Sequence, residues 1–162
     1  MVRFALQLKC DLTNITNLRP DGEDFRWYVR TKCGNCGQDS AEFIYFCSGE
    51  RVPLKEGRGD VNLSIRCKFC SRSGSIDIVP DSYSSYNAED SGSYKTIIIL
   101  DCRGVEPTEF SPRVGWAAQG LESNTEFSDV SLTDKNWCDF DADGNCEVDV
   151  FNVESRFVKV KH

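Results

Sequence analysis

Two Cys-x-x-Cys pairs are the residues of this chain whose types and spacing are most clearly suited to chemistry. Cys33 and Cys36 form the first pair, and Cys67 and Cys70 form the second. Two thiols three positions apart can turn toward one ion, and a glycine after each thiol of the first pair lets the backbone fold closely around it. Together the pairs supply a closed, tetrahedral set of four thiolates. The spacing therefore predicts one structural zinc ion per chain, with these four cysteines as its ligands.

Other uses of the paired cysteines are weaker. Iron or an iron-sulfur cluster also suits four thiolates, and the sequence leaves iron open, although zinc is the usual occupant of paired knuckles. A thioredoxin-like redox role is disfavoured because neither pair precedes a helix in a βαβ setting. The 30 residues between the pairs exceed the usual zinc-finger interval of about 15 to 20. Strands over residues 41–47 and 61–66 can fill this interval and bring the pairs together.

Basic residues surround both pairs in the sequence. Four thiolates around a divalent cation leave a net negative charge at the ion, and nearby cations are expected to offset it. The residues placed to do so are Lys32, Arg66, Lys68 and Arg72. Zinc binding of this type contributes folding free energy, so the loss of one ligand should damage the fold.

The other five of the nine cysteines have no such partner set. Three lie in apolar strand patterns and are predicted to be buried small hydrophobes: Cys10, Cys47 and Cys102. Cys138 and Cys146 flank an acidic turn. A catalytic thiol normally needs a basic partner, and the only histidine is His162. A Cys-His or Ser-His hydrolase is therefore disfavoured.

The acidic turn resembles the start of a calcium-binding EF-hand loop. Asp139, Asp141 and Asp143 offer oxygen ligands at alternate positions, and a glycine follows. The twelfth position of such a loop requires a bidentate Glu, but Val150 stands there. Helical patterns are also absent on either side, so the segment is predicted to be a solvated acidic turn.

Apolar residues recur with period two along much of the chain, which is the pattern of half-buried strands. Turn-rich stretches separate these segments. The sequence therefore predicts an all-β fold, either an antiparallel β-sandwich or an open barrel, with the two Cys-x-x-Cys knuckles at hairpin tips. The predicted strands cover residues 2–10, 25–30, 42–47, 61–66, 75–79, 95–102, 127–132 and 146–160.

One domain accounts for the whole chain. A sequence of 162 residues is the length of one domain, and no linker divides it. Residues 1–162 are therefore predicted to form a single zinc-binding β domain. The polar stretch 81–94 offers little apolar area to offset the entropy of ordering it, so we expect a mobile loop there.

Charge and hydropathy exclude several classes of partner. The net charge of −7 opposes the basic surface of a nucleic-acid or anionic-membrane binder. No apolar run approaches the 18 or more residues of a membrane-spanning helix, and the first residues do not resemble a signal peptide. We expect a cytoplasmic monomer that binds neither nucleic acid nor membrane.

Longer strings of residues are also specific, namely residues 5–9, 14–20, 22–28, 32–37, 86–90, 102–104 and 122–129. With these strings the sequence resembles, almost end to end, the eukaryotic CXXC motif containing zinc binding proteins. The zinc cysteines of that family match Cys33, Cys36, Cys67 and Cys70 one for one. The resemblance also implies a small, cytosolic, β-rich protein with no established catalytic activity.

Two functions from different classes fit these features. The first is a non-enzymatic adaptor, in which a zinc-stabilised β domain binds another protein through its loops or a sheet edge. The second is a metal-handling protein that donates or senses zinc, or another soft metal, with a client protein such as a metal-homeostasis protein. An enzyme is disfavoured because a closed set of four sulfurs leaves no coordination position for substrate or water.

Overall fold

Within residues 2–54 and 57–161, which the computed structural model describes, the chain forms fourteen β-strands and one 3-10 helix at Ala88–Asp90. No helix in this part is long and apolar enough to span a membrane. The strands are β1 (Val2–Thr13), β2 (Ile15–Pro20), β3 (Trp27–Cys33), β4 (Ile44–Phe46), β5 (Val52–Pro53), β6 (Asp60–Val61), β7 (Leu63–Arg66), β8 (Ser73–Ile78), β9 (Lys95–Arg103), β10 (Val105–Ser111), β11 (Trp116–Gly120), β12 (Glu126–Val130), β13 (Trp137–Asp141) and β14 (Cys146–Val160).

The largest sheet is a curled, antiparallel half-barrel of six strands in the order β13-β14-β1-β9-β8-β7. Its long central strands pair closely: β1 lies against β14 with Arg3 opposite Val160, and against β9 with Val2 opposite Cys102. Alternation along β1 buries one side of the strand, as at Leu6 and Leu8. The concave side of the sheet therefore supplies much of the core.

Three smaller sheets complete the described structure: two of three strands, in the orders β10-β3-β4 and β12-β11-β2, and one of two strands, β5-β6. Aromatic side chains from these sheets and their connections form the centre of the core. The Phe25 ring packs edge-on against Trp27 and Trp116, with ring centroids 4.8 and 5.2 Å apart. Both tryptophans are almost fully buried.

The observed architecture confirms the predicted all-β fold, and the open-barrel alternative describes it better than a sandwich. Five strands escaped prediction: β2, β5, β10, β11 and β13. Pro107 lies within β10, β11 is short and ends at Gly120, and β13 is the segment interpreted as an acidic turn. Their local sequences give weak strand signals, whereas pairing with neighbouring strands determines their conformation.

The polar stretch 81–94 is held by specific contacts rather than by apolar area. Tyr86 in its centre is fully buried, and its backbone pairs with that of Leu18. Its hydroxyl lies 2.6 Å from the carbonyl oxygen of Asp90 and 2.7 Å from that of Ser93. The expectation of a mobile loop, which was based on composition alone, did not foresee these contacts of Tyr86.

His162, the only histidine of the sequence, lies outside the described residues.

Candidate metal centre

The first knuckle begins where β3 ends. The Cys33 amide donates to the carbonyl of Gln38 (2.9 Å), and the Gly37 amide donates back to the carbonyl of Cys33 (3.0 Å). Gly37 has φ +78°, a conformation that favours glycine. The chain then returns alongside β3 through a bridge between Lys32 and Asp39. The knuckle is thus a tight turn that brings Cys36 back over Cys33.

The second knuckle repeats this geometry at the tip of the hairpin formed by β7 and β8. The Cys67 amide donates to the carbonyl of Arg72 (2.9 Å), and the Ser71 amide donates to the carbonyl of Cys67 (2.9 Å). Ser71 occupies the position equivalent to Gly37 and has φ +64°. The prediction of knuckles at hairpin tips therefore holds.

The two knuckles face each other. The Sγ atoms of Cys33 and Cys70 lie 3.7 Å apart, and those of Cys36 and Cys67 lie 3.6 Å apart. All four sulfur atoms fall within 4.8 Å of one another. Sulfurs bound to one zinc at about 2.3 Å in a tetrahedron are separated by about 3.8 Å. Both the donor set and its spacing therefore fit a single tetrahedral zinc ion.

Backbone amides stabilise the thiolate form of two of these cysteines. Hydrogen bonds from the backbone of Cys36 and Asn35 lower the pKa of Cys33. The backbone of Arg72, followed by the Asn35 side chain, lowers the pKa of Cys70 to about 6. A thiol must lose its proton to bind a metal, so these contacts prepare Cys33 and Cys70 for a cation. At Cys36, the lowering by the Gln38 backbone is outweighed by desolvation and the neighbouring thiols, which raise the pKa to about 11.

The turn between β9 and β10 supports both knuckles from beneath. The Gly34 amide donates to the carbonyl of Gly104 (3.0 Å), which ties the turn to the first knuckle. Gly104 has φ +70°, and a Cβ at this position would lie 3.0 Å from the carbonyl oxygen of Ser73, next to the second knuckle. A residue without a side chain is therefore required where the two knuckles meet the turn.

A cavity of about 590 Å³ opens beside the cluster. Its walls include Ile44 of β4 and Ile65 of β7, which belong to the two sheets that the knuckles join, and Phe69 of the second knuckle. Three of the four cationic residues predicted to surround the site line this cavity: Arg66, Lys68 and Arg72. These three residues therefore border the same cavity as Cys33 and Cys67, and their role in offsetting the thiolate charge stays a prediction.

The five cysteines outside the cluster differ in how far they are buried. Cys10, Cys47 and Cys102 are buried, which confirms their predicted place in the core. Burial raises the pKa of Cys10 and of Cys102 to about 12. Cys138 is exposed and Cys146 is half-buried. Within the described residues, the four knuckle cysteines are the only group of three or more His, Cys, Asp or Glu side chains that could hold a metal ion.

The EF-hand-like segment is a hairpin between β13 and β14, and one of its carboxylates is not solvated. Asp141 is 1% exposed and accepts hydrogen bonds from Ser123 Oγ, Thr125 Oγ1 (2.8 Å) and the Gly144 amide (3.1 Å). The bond from Ser123, then those from Thr125 and Gly144, lower its pKa although burial opposes them. This carboxylate links the hairpin of β11 and β12 to the hairpin of β13 and β14 by hydrogen bonds. The prediction of a solvated turn was therefore wrong at Asp141.

Residues 5–158 match the family described as CXXC motif containing zinc binding protein, eukaryotic. The chain belongs to this family. The resemblance seen in the sequence is thereby confirmed. A zinc-binding family and a four-cysteine group that could hold one ion together bear out zinc as the predicted cofactor.

Relatives in this family cover the chain almost completely. The CXXC motif containing zinc binding protein of Xenopus laevis is 50% identical over 98% of this chain and 99% of its own length. The human protein of the same description is 48% identical over 98% of this chain and 99% of its own. The UPF0587 protein CG4646 of Drosophila melanogaster is 39% identical, covering 99% of both chains.

Solved structures share the fold. The crystal structure of C1orf123 has a TM-score of 0.93 and 48% identity, covering 98% of this chain and 99% of that one. A hypothetical protein from Plasmodium falciparum, 21% identical, has a TM-score of 0.87 and covers 98% of this chain and 100% of its own. The second likeness shows that the architecture persists at low sequence identity.

Sequence spacing identified the four thiols but missed the groups that position them. Asn35 could have been suspected, since it lies inside the first Cys-x-x-Cys pair. Gly104 had no local signal, because its role depends on contacts with residues that are distant in sequence.

Proposed function

We propose that this family member is a β domain cross-linked by zinc, and that it acts without catalysis, by binding another protein. One observation carries the proposal. Four thiols from two different sheets converge into a closed group, with sulfur separations of 3.6 and 3.7 Å that suit one tetrahedral ion. A fully thiolate-bound zinc supplies structural cross-linking rather than an open position for substrate.

The ligand residues in this proposal are Cys33, Cys36, Cys67 and Cys70, with one zinc per chain. Cys33 ends a strand of the three-stranded sheet, whereas the second knuckle caps a hairpin of the half-barrel. Zinc at this point would fix the two sheets relative to each other at one end. Rigid surfaces on both sheets would then be presented to a partner with little loss of conformational entropy on binding.

The decisive experiment is affinity capture of a partner by the zinc-loaded protein from cytoplasmic extract, followed by gel filtration of the complex. We expect a stoichiometric protein partner that stays bound through filtration. A matched capture uses the Cys138→Ser variant, which changes an exposed thiol outside the cluster. If the purified protein retains no partner and instead converts a substrate, the adaptor role is wrong.

A metal-handling role is the second candidate, and the exposure of Cys36 favours it. This thiol is exposed, and Cys67 and Cys70 are only half-buried, so a competing ligand can reach three of the four sulfurs. A donor or sensor site should exchange zinc with a micromolar chelator within minutes while the fold persists. Exchange that requires global unfolding would remove this candidate and leave the structural role.

A further inference from the structure

Arginine and aromatic side chains alternate on the outer face of the β10-β3-β4 sheet. In β3, Tyr28 and Arg30 point away from the core, while Trp27 and Val29 between them are buried. Tyr45 lies opposite Tyr28 in the register of β3 and β4. We define the arginine-aromatic face by its six side chains: Arg26, Tyr28, Arg30, Phe43, Tyr45 and Arg113.

Each guanidinium of this face lies over a ring. Arg113 Cζ is 3.7 Å from the ring centroid of Tyr28, and Arg26 Cζ is 4.7 Å from that of Tyr45. Arg30 Cζ is 5.6 Å from the centre of the Phe43 ring. These are cation-π distances, at which the planar cation is attracted to the ring face. A guanidinium already held on a ring loses less freedom when it next binds an anion.

The positive charge of the face is only partly neutralised. Arg30 lies 3.5 Å from a carboxylate oxygen of Glu109. Within the part of the chain that the structure describes, Arg26 and Arg113 have no carboxylate oxygen within 4.0 Å. The whole chain carries a net charge of −7, whereas the six side chains of this face include three arginines and no carboxylate. Two ring-stacked cations are thus available to an anionic partner.

We propose that the arginine-aromatic face binds an acidic, carboxylate-rich segment of the protein partner. This rests on the proposed adaptor function and assigns its contact surface. Arginine forms charge-assisted hydrogen bonds with carboxylates, and its planar fork suits them. β4 is the edge strand of this sheet, so the face ends at an edge that pairs with no further strand of the sheet.

Single-stranded nucleic acid is the competing anion, and ring packing argues against it. Such ligands rely on bases stacking on free aromatic faces. Here a guanidinium lies over Tyr28 and another over Tyr45, and the two rings also pack on each other with centroids 5.3 Å apart. The face therefore offers cations but little free ring surface for bases.

The test uses a short fluorescein-labelled peptide of alternating glutamate and glycine, with its glutamine counterpart as the neutral probe. Fluorescence anisotropy should show saturable binding of the glutamate peptide to the zinc-loaded protein at low salt. The double variant Arg26→Gln/Arg113→Gln should weaken this binding about five- to tenfold. Added salt should weaken binding to the wild-type protein.

The matched control is Arg58→Gln/Arg156→Gln, which removes the same charge elsewhere. Arg156 is also stacked on a ring, with Cζ 3.9 Å from the centroid of Tyr94, but it lies on β14. This control should change the affinity less than twofold. Equal weakening by both double variants, equal binding of the glutamine peptide, or no binding at low salt would overturn the proposal.

Two further measurements separate this proposal from its alternatives. A labelled oligouridylate that binds more tightly than the glutamate peptide, and through Arg26 and Arg113, would replace the acidic segment with nucleic acid and overturn the assignment. If Arg26→Gln/Arg113→Gln captures the cellular partner as well as wild type, the adaptor function stands and the assigned face is wrong. Unchanged zinc content and melting temperature should show that both double variants are folded.

Discussion

Cys67 is the ligand position where metal binding and folding are expected to be most directly coupled. It starts the second knuckle, and its sulfur lies 3.6 Å from that of Cys36 across the cluster. Replacing Cys67 with Ser substitutes an oxygen that is a poorer and less readily ionised ligand. A cross-link closing a loop of this length restricts the unfolded chain by about 3–4 kcal/mol. We expect Cys67→Ser to bind less zinc and to melt about 10 °C lower by scanning fluorimetry.

The exposed Cys138 provides the control for that substitution. Cys138→Ser exchanges the same atoms on the surface of β13, away from the cluster. Its zinc content and melting temperature should match those of the wild-type protein. If Cys67→Ser also matched wild type, the metal would be unnecessary for the fold, and the metal-handling function would gain support.

Asp141 should make stability depend on pH in the acidic range. Its folded pKa is lowered, chiefly by the hydrogen bond from Ser123, so the stabilisation is complete above the unfolded pKa of about 4 and is lost as pH falls through the folded pKa. We expect Asp141→Asn to lower the melting temperature by several degrees at pH 7. This difference should shrink below about pH 4, as measured by thermal melts across pH. Asp134→Asn, at an exposed position, should show no such effect.

The β9-β10 turn is the element whose shape most affects the cluster. Gly104 has a left-handed backbone conformation, and a Cβ added to it would lie against the carbonyl oxygen of Ser73. Gly104→Ala should therefore destabilise the protein by about 1–2 kcal/mol. Displacement of the turn should also weaken zinc binding, measured by competition with a chromogenic chelator. Gly92→Ala is the control, because Gly92 has φ +82° but its nearest neighbour is a side-chain atom 3.9 Å away. It should lose stability without losing zinc affinity.

Elements with a strong alternating pattern were predictable, and elements defined by their neighbours were not. β1 and β14 alternate over long stretches, and their predicted positions agree closely with the structure. β11, with the sequence Trp-Ala-Ala-Gln-Gly, becomes a strand because it pairs with β2 and β12. The metal cysteines were predictable because each knuckle is defined within five residues. The turn supporting both knuckles was not, because its role depends on contacts between separate parts of the chain.

At the scale of the whole molecule, the cysteine cluster joins the half-barrel to the β10-β3-β4 sheet. Treating the wild-type protein with a strong chelator should therefore lower its melting temperature by many degrees, and one equivalent of zinc should restore it. Cys67→Ser should start low and respond little to either treatment. Elemental analysis should find about one zinc per chain. Two stoichiometric metals, or melting unaffected by chelation, would contradict this arrangement.

The cysteines differ in burial, so the rate at which each thiol is alkylated can report on how the protein unfolds. Burial holds Cys10 and Cys102 at a pKa of about 12, so at neutral pH they carry about a thousandfold less thiolate than an ordinary exposed cysteine. An alkylating reagent should modify Cys138 in seconds and the knuckle thiols only after the metal departs. Cys10 and Cys102 should be modified only when the sheet itself separates. Mass spectrometry of the alkylated chain over time would thus report metal release and global unfolding as two separate rates in a single unlabelled sample.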